Sequence, residues 1–423
     1  MRKILYVVLD GLGDRPQAQL DGKTPLEAAD TPHLDELAQK GETGLMDTIG
    51  PDIAPESDAA VMSILGYEVD RYYTGRGPLE AHGAGLEVPA GSIAWRCNFA
   101  TVDKDWNIVD RRVGRNLSDE EARELAEAVR AQVRLDGAMF EFRHTIGHRA
   151  SLVIQSLAAN LSGDVDNCDP AYKRHGIFSV ALENPGDHVA EARPLRDAPD
   201  TRLAASLTTE FMKRSFEVLD RHPVNERRRA EGKMPGNFIL VRDAGDRLPE
   251  LPTFQERFQL RFGALVEMPV EVGIAELTGM GQIPVMSTGD DPERGFQDWA
   301  AKTLAGLDAH DGLYVHLKGP DVFGHDGDAE GKKRNIEQID RFYFGPVVKS
   351  LTLPDFVIAV TADHSTPCDI KAHSADPVPL LISAGGLEPE GALQFGESDC
   401  ARGRIGKLRG PALVPRLVEI AKG

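Results

Sequence analysis

Residues 3–10 read KILYVVLD, a run of apolar side chains closed by a carboxylate at Asp10. It is apolar at successive positions, not at alternate ones, so both of its faces must be covered, as in the strands of a parallel sheet. Comparable runs at 238–243, 313–318, 356–361 and 378–384 are each followed by a helical pattern. Helices are expected at 31–40, where Thr31 starts, Pro32 takes the first position and Gly41 stops, and at 58–65, 292–307 and 328–350. This alternation predicts an α/β core, a mostly parallel sheet with helices on both faces. Ligands of such sheets lie outside the carboxyl ends of the strands. Asp10 and Asp363 directly follow strands and Asp321 follows one within three residues, so all three are expected on one edge.

The middle of the chain has another texture. GSIAWRCNFATVD, FEFRHTIGHRASLVI and HGIFSVALEN alternate, and one helix opens at Ser118 with Glu121 three residues on, a capping box. We expect a smaller α+β insertion at 86–199 within a core formed by 1–85 and 200–423. Linkers are expected near 75–90 and 190–203.

Composition narrows the setting. With 41% hydrophobic and 27% charged residues the 423-residue chain is of ordinary globular type. No apolar run is long enough to span a membrane, and the first apolar run ends in Asp10 instead of a cleavage site. Cys97, Cys168, Cys368 and Cys400 are scattered and form no C-x-x-C pair, so a cytoplasmic protein with reduced thiols is expected. The net charge of −19 argues against nucleic acid and anionic membranes as partners. It does not argue against an anionic small substrate, because bound cations cancel carboxylates and arginines concentrate locally, as in RRVGR and NERRRAEGK.

The chemistry lies in five segments. Asp10, Asp321 with His325, Asp363 with His364, and His373 are divalent-cation ligands by type. Asp321 and His325 are four apart and share one helical face. Carboxylate with imidazole suits zinc, manganese, cobalt or iron. Two cations about 3.5–4 Å apart clamp the attacking and leaving oxygens of an in-line phosphoryl displacement. In APESDAAVMSILGY, Ser57 precedes an apolar helix whose free N–H groups and dipole suit a phosphate on its oxygen. Read alone, Ser57 is better explained as a helix cap. Together the set indicates phosphoryl or sulfuryl transfer through a serine at a two-cation site.

Beyond single residues, VVLDGLGDRP, GKTPLEAADTPHLDELA, SDAAVMSILGY, TGRGPLEA, NFATVD, GHRASLVI, NERRRAEGK, LKGPDVFGHDGD and ADHSTPCDIKAHSADPVPLLI occur in this order along nearly the whole chain. This series resembles the archaeal-type cofactor-independent phosphoglycerate mutases of the alkaline phosphatase superfamily. The resemblance implies an alkaline-phosphatase-like core interrupted by a transferase domain, with substrate in the cleft between them. It implies that Asp10, Ser57, Asp363 and His364 hold one cation, that Asp321, His325 and His373 hold the other, and that Ser57 becomes phosphoserine. Manganese or magnesium is the implied cofactor, with zinc and cobalt compatible, and no bisphosphoglycerate is required.

The substrate's carboxylate and phosphate need arginines, for which Arg76, Arg96, Arg111, Arg112, Arg115 and Arg149 are the candidates. Lys318 is a candidate for neutralising the transferring group, or for a role at its strand end. Three departures from the family pattern stand out. Glu56 replaces the usual glycine before the serine, Cys97 stands in the NFATVD block where glycine is usual, and VMSTGDDPERG differs from an ATGYLDT-like segment. Three other readings share the fold: a phosphomonoesterase or phosphodiesterase in which water takes the phosphoserine, a small-molecule kinase relative, and a catalytically silent relative. The kinases begin GDGMAD-like, unlike VLDGLGD, and a silent relative would lack part of the ligand set. The sequence leaves the oligomeric state open.

Overall fold

A computed structural model describes every residue except Glu183, Asn184 and Asp290, and of His175 and Ala181 only the backbone. The end of the HGIFSVALEN segment and one residue of VMSTGDDPERG therefore lie outside the described residues. The chain divides into two compact units, 1–72 with 250–423, and 73–249.

The first unit is built on an eight-stranded sheet. Its order is Gly281–Gln282, Phe262–Leu265, Gly312–Leu317, Lys3–Leu9, Phe356–Thr361, Val378–Ala384, Glu42–Asp47, Gly406–Arg409. All pairings are parallel except those made by Val378–Ala384, which runs antiparallel to both neighbours. Ile4 to Leu9 are buried without interruption, and since successive residues point to opposite faces, both faces of this strand are covered. Register places Leu9 beside Leu317 and Val8 beside Thr361, so three central strands end level. Asp10, Lys318 and Asp363 emerge from that shared edge. Helices Pro32–Gln39, Pro292–Ala309 and Leu413–Lys422 pack on this sheet, the first opening with proline as expected. The expected 328–350 helix is continuous but wound as Ala329–Ile339, a π turn at Asp340–Phe344, and Gly345–Ser350.

The second unit has a five-stranded antiparallel sheet in which Ile93–Val102 pairs with Ile108–Asp110, Arg149–Ser156 and Phe238–Gly245, and Ala138–His144 extends the edge. The helix Asp119–Gln132 carries the anticipated Ser118–Glu121 capping box. The unit is wider than the 86–199 segment on both sides. Phe238–Gly245, read with the parallel core strands, instead pairs antiparallel with Ile93–Val102, and helix Pro199–Leu219 packs on it. Helix Arg76–Gly83 packs on the same sheet. An apolar run does not say which sheet it joins; only pairing decides. Cys97 is a fully buried filler of the central strand, its thiol pushed up by burial.

The NERRRAEGK arginines serve this unit's own fold. Arg228, with no solvent exposure, donates to Met234 O at 2.8 Å and to Glu121 Oε2 at 2.6 Å, while Arg229 pairs with Asp220.

One half-buried acid of the first unit sets a pH dependence. Glu397 accepts from Asp14 N at 3.2 Å and from the Thr24 hydroxyl at 2.6 Å. Burial, with Glu27 adding repulsion, lifts its carboxyl to about 7. A carboxyl raised on folding stabilises below its unfolded pKa, and that stability is lost as pH rises through the folded value. Wild-type stability should fall by about 1–3 kcal/mol between about pH 5 and pH 8, and Glu397→Gln should remove most of this slope. Denaturant unfolding at the two pH values measures it; identical slopes would refute the assignment.

Candidate active site and metal centre

The turn after Lys3–Leu9 is the first building block. Gly11 takes φ +62, and a Cβ there would meet Asp321 Cβ at 2.7 Å and Thr366 Oγ1 at 2.7 Å, so glycine lets three segments converge. Gly11 N and His364 N both donate to Asp363 Oδ1 at 3.1 Å. The loops are tied from behind by Lys332, which has no solvent exposure. Its ammonium donates to Asp14 Oδ2 at 2.8 Å, Thr366 O at 3.0 Å and Gly13 O at 3.1 Å.

Two groups of potential ligands form on this edge. Asp10, Asp363 and His364 are buried, with ligand atoms within 4.8 Å of one another; Asp321, His325 and His373 form a second, more exposed set within the same limit. In the first, His364 Nε2 lies 3.3 Å from Asp363 Oδ2 and 3.4 Å from Asp10 Oδ1. In the second, His325 Nε2 and His373 Nε2 each lie 3.5 Å from Asp321 Oδ1. Asp321 and His325 share the short helix Pro320–Asp326, so the i, i+4 spacing puts them on one face. The sets adjoin, since His364 and His373 stack with ring centroids 3.7 Å apart.

Hydrogen bonds settle which ring nitrogen each histidine offers. His373 Nδ1 donates to Pro55 O at 2.9 Å and His325 Nδ1 to Lys371 O at 3.0 Å. Thr366 Oγ1 donates to Asp321 Oδ1 at 2.7 Å, and so accepts from His364 Nδ1 at 3.0 Å. All three rings thus turn Nε2 toward the carboxylates, with Nδ1 held by an oxygen behind, the arrangement by which proteins orient histidine ligands. The carboxylates add a further sign. Asp10 Oδ1 and Asp363 Oδ2 are buried without a hydrogen-bond partner. Inner oxygens left this way, with His364 Nε2 beside both, fit a divalent cation with mixed N/O preference.

The protein's own electrostatics show how crowded these charges are. Burial and the nearby Asp10 push Asp363 well above the carboxylate range, while burial and His373 press His364 well below the usual imidazole value. Burial opposes charge on His373, yet Glu56 and Asp321 raise it to about 10. Burial also opposes the Lys318 ammonium, but Asp10 and Glu271 keep it charged, at 2.9 and 2.6 Å. Lys318 is therefore committed to Asp10, one of the candidate ligands.

Ser57 is the first residue of helix Ser57–Ile64, and Glu56, the N-cap, makes no side-chain cap bond. Ser57 is thus not the cap; its Oγ lies 3.3 Å from His364 Nε2, beside the first group. Glu56 lies with Oε1 3.9 Å from His373 Nδ1, where it meets positive charge and not the serine alone.

The arginines gather within the second unit. Arg76 Nε donates to Glu80 Oε1 at 2.6 Å, and Arg96 Nε lies 3.3 Å from the same oxygen. Arg111 pairs with Asp169, whose other oxygen is 3.4 Å from Arg242 Nη1, and Arg242 lies over the Tyr172 ring at 4.2 Å. Burial opposes the Glu80 anion, yet Arg96 and Arg76 lower it to about 2; burial and neighbouring arginines bring Arg96 down to about 10. Burial and the Arg149 and Arg112 charges push His148 to about 3, so it stays neutral. Arg76, Arg96, Arg111, Arg149 and Arg242 outnumber Glu80, Asp169 and Asp243, leaving buried and half-buried positive charge suited to anions. Arg112 and Arg115 lie exposed on the neighbouring turn.

Sequence reasoning did not find His316, Glu271, Thr366 or Arg242. A histidine inside the apolar run GLYVHL, two residues before Lys318, was the available signal for the first.

A family profile described as 2,3-bisphosphoglycerate-independent phosphoglycerate mutase matches residues 38–225. A protein of that name from Aeropyrum pernix is 46% identical over 431 residues, covering 100% of both chains. The chain belongs to this family. A Methanoculleus marisnigri relative of the same name is 40% identical over 99% of this chain and 97% of its own. Among solved structures, the cofactor-independent phosphoglycerate mutase from Thermoplasma acidophilum is 31% identical with TM-score 0.63 and full coverage of both chains. A protein from Pyrococcus horikoshii is 31% identical with TM-score 0.81, covering 100% of this chain and 97% of its own. Family membership makes the enzyme an isomerase with a small phosphorylated substrate. Among the described residues no helix is long and apolar enough to cross a membrane.

Proposed function

We propose that this enzyme interconverts 3-phosphoglycerate and 2-phosphoglycerate by passing the phosphoryl group through Ser57, without 2,3-bisphosphoglycerate. The observation that carries the reading is the Ser57 hydroxyl at 3.3 Å from His364 Nε2, at the margin of a buried Asp10–Asp363–His364 group.

Asp10, Asp363 and His364, with Ser57, hold one divalent cation in this reading, and Asp321, His325 and His373 hold a second; manganese or magnesium is the expected metal, with zinc and cobalt compatible. When bound, such cations supply Lewis-acid chemistry, lowering the pKa of a coordinated hydroxyl and offsetting phosphoryl charge. The residues do the rest. Ser57 attacks phosphorus as the sugar-acid oxygen leaves, and the N–H groups opening its helix face the phosphoserine. Lys318 holds Asp10 in place as a fixed positive charge. Glycerate then turns and its other hydroxyl takes the phosphoryl group back from Ser57. We assign the 73–249 unit to substrate binding. Arg76, Arg96, Arg111, Arg149 and the newly found Arg242 suit the carboxylate and phosphate, with the exposed Arg112 and Arg115 as outer contacts. The four free, buried cysteines accord with a cytoplasmic location.

A coupled assay tests this reading. Purified enzyme with manganese should form 2-phosphoglycerate from 3-phosphoglycerate with no bisphosphoglycerate present. Release of inorganic phosphate without 2-phosphoglycerate would leave a hydrolase in its place.

A further inference from the structure

His316 sits in the Gly312–Leu317 strand with no solvent exposure. A buried polar ring is costly unless its nitrogens are answered. One is: the Tyr314 hydroxyl lies 2.9 Å from Nδ1. The other is not. Nε2 has no hydrogen-bond partner and lies 3.7 Å from Asp363 Oδ2 and 4.0 Å from Asp10 Oδ1. Those two oxygens are themselves buried and unpartnered. Their sister oxygens are occupied, Asp363 Oδ1 by two backbone N–H groups and Asp10 Oδ2 by Lys318. Three orphaned atoms therefore converge. His364 Nε2 is nearer to both oxygens, at 3.3 and 3.4 Å, but its ring carries its proton on Nδ1 toward Thr366. Among the described residues, His316 Nε2 is thus the nitrogen placed to donate to them.

The direction of the Tyr314 bond decides what His316 offers. A phenol is the better donor to an imidazole nitrogen, so Tyr314 O–H points at Nδ1 and the ring carries its proton on Nε2. An Nε2–H cannot ligate a cation, but it can donate to carboxylates and aim their remaining lone pairs. We propose that His316, held as the Nε2–H tautomer by Tyr314, is a positioning residue that aims the inner oxygens of Asp10 and Asp363 at a divalent cation. A small inward shift of either carboxylate brings it within bonding distance of Nε2. The inference rests on reading Asp10, Asp363 and His364 as a cation site.

The test reads metal binding and tautomer, not turnover. Manganese is titrated calorimetrically into chelator-treated, full-length wild type, His316→Ala, His316→Gln and Tyr314→Phe, with circular dichroism confirming each fold. His316→Ala should weaken one of the two ions by about 10–100-fold and leave the other unchanged. His316→Gln, which keeps an N–H donor, should recover much of the loss, and Tyr314→Phe should fall between. Nitrogen-15 NMR of histidine-labelled enzyme, with and without magnesium, should show Nε2 protonated and Nδ1 bare. Wild type that takes up no ion at the Asp10 group would overturn the cation reading and this inference together. Wild type that binds two ions, with His316→Ala and Tyr314→Phe unchanged, would overturn the positioning role alone. A bare Nε2 in the loaded enzyme would also overturn it, by making His316 a ligand. Should His316→Ala not fold, the His316→Gln and Tyr314→Phe affinities and the tautomer decide the question.

Discussion

Ser57→Ala should abolish mutase activity, a loss of at least about 10⁴-fold in kcat, while the fold and both cation groups persist. The size follows from the serine being the covalent acceptor. The Thr366 hydroxyl, also beside His364, is committed to Asp321 Oδ1 and His364 Nδ1 and does not replace it. The fold is expected to tolerate the change because Ser57 is the first helical residue and caps nothing. Stability should shift by less than about 1 kcal/mol. Steady-state kinetics and thermal unfolding check both halves, and mass spectrometry should find phosphoserine in wild type alone. A fully active Ser57→Ala protein would remove the nucleophile from the account.

Asp321→Ala should release one of two bound ions and lower activity by about 10³-fold or more. Asp321 Oδ1 is the point on which His325 Nε2 and His373 Nε2 both converge at 3.5 Å. Without it, two imidazoles remain, and His373 loses one of the charges that raise it to about 10. The first group should keep its ion because Gly11 N and His364 N still hold Asp363, Lys318 still holds Asp10, and Thr366 Oγ1, freed from Asp321, can still accept from His364 Nδ1. Metal analysis after gel filtration counts the ions. Two ions retained would mean that Asp321 is not a ligand.

What could be read from the sequence was what rests on local pattern. Continuous apolar runs closed by Asp10 or followed by Asp363 marked strand ends, and parallel register then brought those ends level. The i, i+4 spacing of Asp321 and His325 needed only a helical turn. The unit boundary was not readable. FILVRDAG at 238–245 has the same apolar character as the parallel strands, and its place beside Ile93–Val102 depends on long-range pairing. His316 and Arg242 were hidden for a related reason, since a polar residue inside an apolar strand reveals its role only through what lies across from it. The reverse held for NERRRAEGK, an anion-binding pattern by composition whose Arg228 is spent on Glu121 and backbone carbonyls.

The central claim is that one phosphoryl group moves within one glycerate by way of Ser57. A crossover experiment addresses it directly: carbon-13 3-phosphoglycerate bearing an oxygen-18 phosphate is mixed with unlabelled substrate and the 2-phosphoglycerate is weighed by mass spectrometry. Intramolecular return from Ser57 predicts product carrying both labels or neither. Scrambled labels, or labelled inorganic phosphate in place of 2-phosphoglycerate, would contradict it.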